Sequence, residues 1–106
     1  MKPENTFYVV MYDITHSATL QKVGKLLVKA GLERINYSVW LGWADPARQP
    51  LLKEELVKLL QRPVAKGSVF YILPVSKKEV KRMRGINGRK PRELDYWMGE
   101  RRTMFL

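Results

Sequence analysis

The chain contains no cysteine and a single histidine, and it has 10 acidic residues against 20 basic ones. Without cysteine there is no disulfide framework, no thiolate zinc site and no cysteine nucleophile, and a cytoplasmic location is expected. No apolar run approaches the ~18–20 residues of a membrane span, so no membrane partner is expected. The opening residues run straight from Met1-Lys2-Pro3-Glu4-Asn5 into a β-rich stretch, without the pattern of a signal peptide.

What is present is charge and apolar bulk. The 106 residues carry a formal net charge of +10, and 45% are hydrophobic, including three Trp. That content supports one folded domain rather than a disordered chain. An excess of positive charge this large points to a polyanion, with nucleic acid the leading partner. The charge is uneven. Residues 1–76 hold 10 Lys+Arg and 6 Asp+Glu, whereas residues 77–106 hold 10 and 4. The expected division is therefore a core over 1–76 and a basic extension over 77–106 that ends in a strand.

Hydrophobic periodicity orders the core. Phe7–Tyr12 reads as a central strand. Residues 18–30 place Leu20, Val23, Leu27 and Ala30 on one helical face, with Thr15 or Ser17 as cap and Gly31 as stop. Residues 33–43 read as two short strands broken near Tyr37-Ser38. Pro50 opens a second helix whose apolar face is Leu52, Leu56, Leu59 and Leu60, and Pro63 ends it. Residues 68–73 form a last strand closed by Pro74, and a short helix fits 76–84. The order β-α-β-β-α-β predicts an α+β, ferredoxin-like fold with one antiparallel sheet. Two helices cover one face only. Tyr8, Trp40 and Tyr71 are expected on the other, which then needs a partner chain or a nucleic acid.

Asp13, at the end of the central strand, is the first candidate for chemistry. A carboxylate there can bind Mg²⁺, and the ion can activate water and offset charge on a phosphodiester. The alternative is a turn or capping aspartate. A symmetric dimer can bring two copies of Asp13 together. His16 offers a general base or a ligand, but without a partner in sequence it reads as a surface residue. Arg34, Asn36 and Ser38 alternate on one strand and form a possible phosphate stripe. Lys66-Gly67-Ser68-Val69-Phe70-Tyr71 shares its Lys-Gly start and one Phe with the RNA-recognition-motif signature, but lacks the intervening glycine and aromatic.

Taken together, four blocks in order resemble the small CRISPR-associated Cas-two family. Tyr8-Val9-Val10-Met11-Tyr12-Asp13-Ile14 resembles its opening strand. Lys22-Val23-Gly24-Lys25-Leu26-Leu27 followed by Gly31 resembles its first helix. Arg34-Ile35-Asn36-Tyr37-Ser38-Val39-Trp40 and Ser68-Val69-Phe70-Tyr71-Ile72-Leu73 resemble its later strands. The resemblance implies a ferredoxin-like homodimer that works with the CRISPR integrase subunit and holds double-stranded DNA for spacer acquisition. It also implies metal-dependent endonuclease activity on RNA or DNA in some members, with Asp13 of each chain at the dimer cleft as catalytic and Mg²⁺-binding residue.

The expected interface comprises Tyr12, Trp40, Met104, Phe105 and Leu106, the last three on a strand that extends the partner's sheet. The expected phosphate contacts are Lys22, Lys25, Arg34, Lys77, Lys78, Lys81, Arg82, Arg84, Arg89, Lys90 and Arg92. Where many members carry arginines after the aspartate, this chain has Thr15-His16-Ser17-Ala18-Thr19-Leu20, so a scaffold role is expected before a nuclease role. The alternative is a small RNA-binding protein or ribonuclease outside CRISPR, with Tyr8, Tyr71 or Trp40 stacking on bases.

Overall fold

The computed structural model describes residues 6–84. The order is β1 (Thr6–Asp13), α1 (Ser17–Lys29), β2 (Glu33–Asn36), β3 (Val39–Gly42), α2 (Pro50–Leu60), β4 (Val69–Ser76) and α3 (Lys77–Lys81), with one-turn 3-10 helices at Pro46–Arg48 and Pro63–Ala65. The four strands form one sheet in the order β2-β3-β1-β4, and each neighbouring pair is antiparallel. This is the expected ferredoxin-like arrangement. Among the described residues, no helix is long and apolar enough to cross a membrane.

β1 runs through the middle because its Val, Tyr and Phe residues bury on both faces. Val10 and Tyr12 join Ile14, Val23, Leu27, Leu32, Trp40, Leu56 and Leu59 in the main core under α1 and α2. Phe7 alternates to the opposite face, where it clusters with Leu41 and Val80. α1 stops as expected. Gly31 takes φ +87°, and the Leu32 N–H reaches back to the Leu27 carbonyl at 3.1 Å, the bond of a glycine-terminated helix.

Four expectations are corrected. First, the cap of α1 is His16, not Thr15 or Ser17: its Nδ1 accepts from the Thr19 N–H at 3.3 Å and lies 2.8 Å from the Thr19 hydroxyl. Second, β4 does not close at Pro74 but pairs with β1 through Ser76. As an edge strand, it tolerates a residue that cannot donate to the ladder. Third, the packed core continues past residue 76. Ser76 caps α3 by accepting from the Glu79 N–H at 3.2 Å, and Val80 seals the second cluster. Fourth, Tyr8 and Trp40 do not lie on the uncovered face; both alternate to the helix side, Tyr8 with Val10 and Tyr12, Trp40 opposite Val10.

Trp40 is buried beside Tyr12, and the two share a hydrogen-bond chain. The Trp40 Nε1–H donates to the Tyr12 hydroxyl at 2.9 Å, and that hydroxyl donates to the Tyr37 carbonyl at 3.0 Å. Tyr12→Phe leaves both partners without their bond in a buried setting. It is expected to cost about 1–3 kcal/mol in urea denaturation. A variant as stable as the parent would mean that water replaces the hydroxyl.

Candidate functional site

The uncovered face of the sheet has two ends. At one end Trp43 stacks on Phe7 with ring centroids 3.9 Å apart, and Val80 and Met83 pack over Phe7 and Leu41. At the other end no described element covers the strands. Met11, Val69, Tyr71 and Leu73 there are 36%, 40%, 60% and 49% exposed. Their register puts them side by side: Met11 faces Tyr71, Val9 faces Leu73, and Asp13 faces Val69. The result is an apolar strip on β1 and β4 with a carboxylate at its edge.

Asp13 ends β1 on the same face as Met11 and is exposed. Among the described residues no hydrogen bond or ion pair engages its side chain, so it is not a turn or capping aspartate there. The capping task falls to His16, whose Nδ1 is occupied by Thr19. No group of three or more metal-ligating side chains exists among the described residues. One chain therefore supplies one free carboxylate. Mg²⁺ keeps several waters and uses one or two carboxylates. The donor set fits such an ion when two copies of Asp13 meet and falls short in one chain alone.

The expected interface residues Tyr12 and Trp40 are buried within the chain, under α1. Their side chains are not available to a partner. The residues that present apolar surface are instead Met11, Val69, Tyr71 and Leu73. Tyr71 was expected on this face, and strict alternation along β4 would have added Val69 and Leu73 to it. Phe70, the aromatic of the RNA-recognition-like segment, points to the helix side and stacks on Tyr12 at 5.9 Å. The segment thus lacks an open aromatic at that position.

The expected phosphate contacts separate into groups. Lys22 and Lys25 of α1 line a cleft together with Glu55 and Lys58 of α2 and with Arg62 just past its end, over a floor that includes Leu26 and Leu59; four cations thus stand against one acid. Lys58 and Arg62 were missed because their neighbourhood with Lys22 arises from helix packing. The available signal was that Lys58 falls in the last turn of α2 and Arg62 just beyond it. Arg34 lies on the edge strand β2, but Asn36 and Ser38 do not continue its stripe. The Asn36 side chain accepts from the Tyr37 N–H at 2.7 Å, and Ser38 sits in the turn with its carbonyl bound to the Tyr12 N–H. Lys78, Lys81 and Arg84 are exposed, Lys77 is half-buried, and Arg82 pairs with Glu79 at 3.5 Å. Arg89, Lys90, Arg92, Met104, Phe105 and Leu106 lie outside the described residues.

Residues 6–83 match the family of CRISPR associated protein Cas2. The chain is 42% identical over 62 residues to the CRISPR-associated endoribonuclease Cas2 2 of Pyrobaculum aerophilum, covering 58% of this chain and 63% of that protein. It is 32% identical over 54 residues to the CRISPR-associated endoribonuclease Cas2 1 of Archaeoglobus fulgidus, covering 51% and 57%. The matches thus span less than two thirds of these curated relatives.

Among solved structures, hypothetical protein TT1823 from Thermus thermophilus is similar with a TM-score of 0.56 and 28% identity, over 68% of this chain and 83% of that one. Streptococcus pyogenes Cas2 shares the fold with a TM-score of 0.58 and 23% identity, over 73% and 94%. The family match covers β1 through the residues that follow α3, nearly all of the described fold. The chain belongs to the CRISPR associated protein Cas2 family.

Proposed function

We propose that the protein works as a homodimer in CRISPR spacer acquisition, where it binds double-stranded DNA beside the CRISPR integrase subunit. One observation carries the reading: an uncovered apolar strip ends at an unengaged carboxylate. A contiguous apolar surface on a charged chain calls for a partner. A second copy seated on the strip about a two-fold axis buries Met11, Tyr71 and Leu73 of both chains and sets Asp13 near its counterpart. The cleft of Lys22, Lys25, Lys58 and Arg62 lies on the helical layer, away from that interface. A dimer therefore carries two such clefts on its outer side, available to phosphate. Contacts of this kind position a duplex and carry no sequence information.

Metal-dependent endonuclease activity is the second part of the reading. The names of the two curated relatives, both endoribonucleases, favour it. When bound, Mg²⁺ supplies an activated water and offsets charge on the phosphodiester. Asp13 of each chain would hold it. The start of α1 brings no arginine or lysine before Lys22, so these residues add little to stabilising a pentavalent phosphate. Holding nucleic acid is thus the main task of the chain, and cleavage a slower one.

The dimer is tested with Tyr71→Glu/Leu73→Glu. Both positions are exposed, so folding is expected to persist. Two carboxylates against two others across an apolar interface are expected to convert a dimer into a monomer in sedimentation velocity. A parent chain that sediments as a monomer at micromolar concentration would overturn the reading. Duplex binding is expected to weaken with salt by about −0.9 in log–log slope for each phosphate contact. A flat profile would remove the cationic cleft from the interface.

A further inference from the structure

We infer that the groove between α1 and the β2 edge is a binding site for an unpaired segment of a nucleic-acid strand, with one base stacked on Tyr37 and phosphates on Lys25, Lys29 and Arg34. The inference rests on the nucleic-acid reading above. It adds a second surface to that reading, on the opposite side of the sheet from Asp13.

The groove has a volume of about 1130 Å³ and is lined by α1, β2 and the turn that leads to β3. Small-ligand pockets run from ~300 to ~1,000 Å³, so this space suits an extended segment better than one small molecule. Its floor is apolar, with Leu20, Val28 and the Trp40 ring. Its rim is cationic. Lys25 and Lys29 stand one helical turn apart on α1, and Arg34 faces them from the edge strand. The single acid in the lining, Glu33, is half-buried.

Tyr37 is what separates this groove from a general basic surface. It is 80% exposed, and the Arg34 guanidinium lies 5.6 Å from its ring centroid. Two bonds pin its backbone: its N–H donates to Asn36 Oδ1 at 2.7 Å, and its carbonyl accepts from the buried Tyr12 hydroxyl at 3.0 Å. The ring is thus carried on a fixed base, which lowers the ordering cost of a ligand. Gly24 keeps the groove open, since a Cβ there would stand 3.8 Å from the Trp40 ring and any longer side chain would fill the space.

These features choose among polyanions. Cations alone suit a duplex, whose phosphates are outside and whose bases are already paired and stacked. An exposed aromatic beside cations, over an apolar floor, is the combination that takes unpaired bases. An acidic peptide satisfies the cations and leaves the aromatic face and the floor without a flat partner.

The test uses the full chain and fluorescence anisotropy with two probes, a labelled oligouridine and a DNA duplex, each about 12 units long, within the site sizes of single-strand binders. Tyr37→Ala is expected to weaken oligouridine binding by about 5- to 150-fold, the ~1–3 kcal/mol of one base–aromatic stack, and to leave duplex affinity unchanged. Gly24→Leu, which plugs the groove, is expected to show the same selective loss with an unchanged circular dichroism spectrum.

The inference is overturned if both variants bind oligouridine like the parent, or if single-strand and duplex binding fall together. It is also overturned if polyglutamate binds with the same dependence on Tyr37, which would make the groove a peptide site. Absence of oligouridine binding with duplex binding intact removes the groove alone. Absence of both removes the wider reading with it.

Discussion

Replacing Asp13 by Ala is expected to reduce Mg²⁺-dependent cleavage of RNA or DNA to background while the chain remains folded, dimeric and able to bind duplex DNA. The first half of the outcome follows from the donor set. Asp13 is a free carboxylate at this end of the sheet, and the described residues contain no cluster of three or more metal-ligating side chains that offers another site. A metal supplies several kcal/mol of charge stabilisation in phosphoryl chemistry. Its loss corresponds to a rate effect of about 10²-fold or more, at ~1.4 kcal/mol for each factor of ten.

The second half follows from exposure: Asp13 caps no helix and bonds no neighbour among the described residues, so its removal leaves no buried group unsatisfied. The measurement is a time course with labelled substrate, with and without Mg²⁺, beside sedimentation of the same sample. Cleavage that survives in Asp13→Ala would place the active carboxylate elsewhere. Loss of the dimer in the variant would assign Asp13 to the interface instead.

Trp40→Ala is expected to remove a large part of the protein's stability and to lower its melting temperature steeply. Trp40 is 3% exposed, packs in the main cluster with Tyr12, Val23 and Leu27, and donates the one hydrogen bond its indole can make. Removing a buried aromatic of this size costs about 3–5 kcal/mol, against a total of about 5–15 kcal/mol for a small domain. The Tyr12 hydroxyl also loses the donor that helps to orient it toward Tyr37. Circular dichroism melting and heteronuclear NMR dispersion read the outcome. A Trp40→Ala variant that melts like the parent would show that the space under α1 collapses or fills with water. Trp40→Phe keeps most of the packing and removes the donor, so it is expected to fall between parent and alanine. This separates volume from hydrogen bonding.

Local chemistry made much of this fold legible. The apolar periods placed β1 and α1 to within one residue at each end, since their faces repeat cleanly at 2.0 or 3.6 residues, whereas α2 stops at Leu60, short of the Pro63 expected to end it. Pro50 begins α2, and Gly31 ends α1, for the backbone reasons expected of those residues. Glu54 and Lys58 pair at 3.1 Å, as their spacing of four predicts. His16 as cap was not legible, because histidine is not among the residues preferred there and its role depends on Thr19. Pro74 misled because its tolerance depends on which strand is at the edge, and strand order is a property of the sheet.

The faces were harder than the elements. Trp40 and Tyr12 are large and partly polar, and their composition suits an interface as well as a core. Register decided between the two: opposite Val10, Trp40 falls on the side that α1 and α2 cover. The same register exposes Met11, Tyr71 and Leu73 beside Asp13.

The amino-acid sequence by itself determined the β-α-β-β-α-β order, the basic character and the family, because each is written in local spacing or in ordered blocks of residues. It also singled out Asp13, from its place between a strand and a helix. Only the tertiary structure decided which aromatics face inward. It also gathered Lys22, Lys25, Lys58 and Arg62 around one cleft, and set Tyr37 and Arg34 over a groove. Those relations join residues far apart in the chain, and they are fixed by how two helices cross a sheet whose strand order the local pattern does not contain.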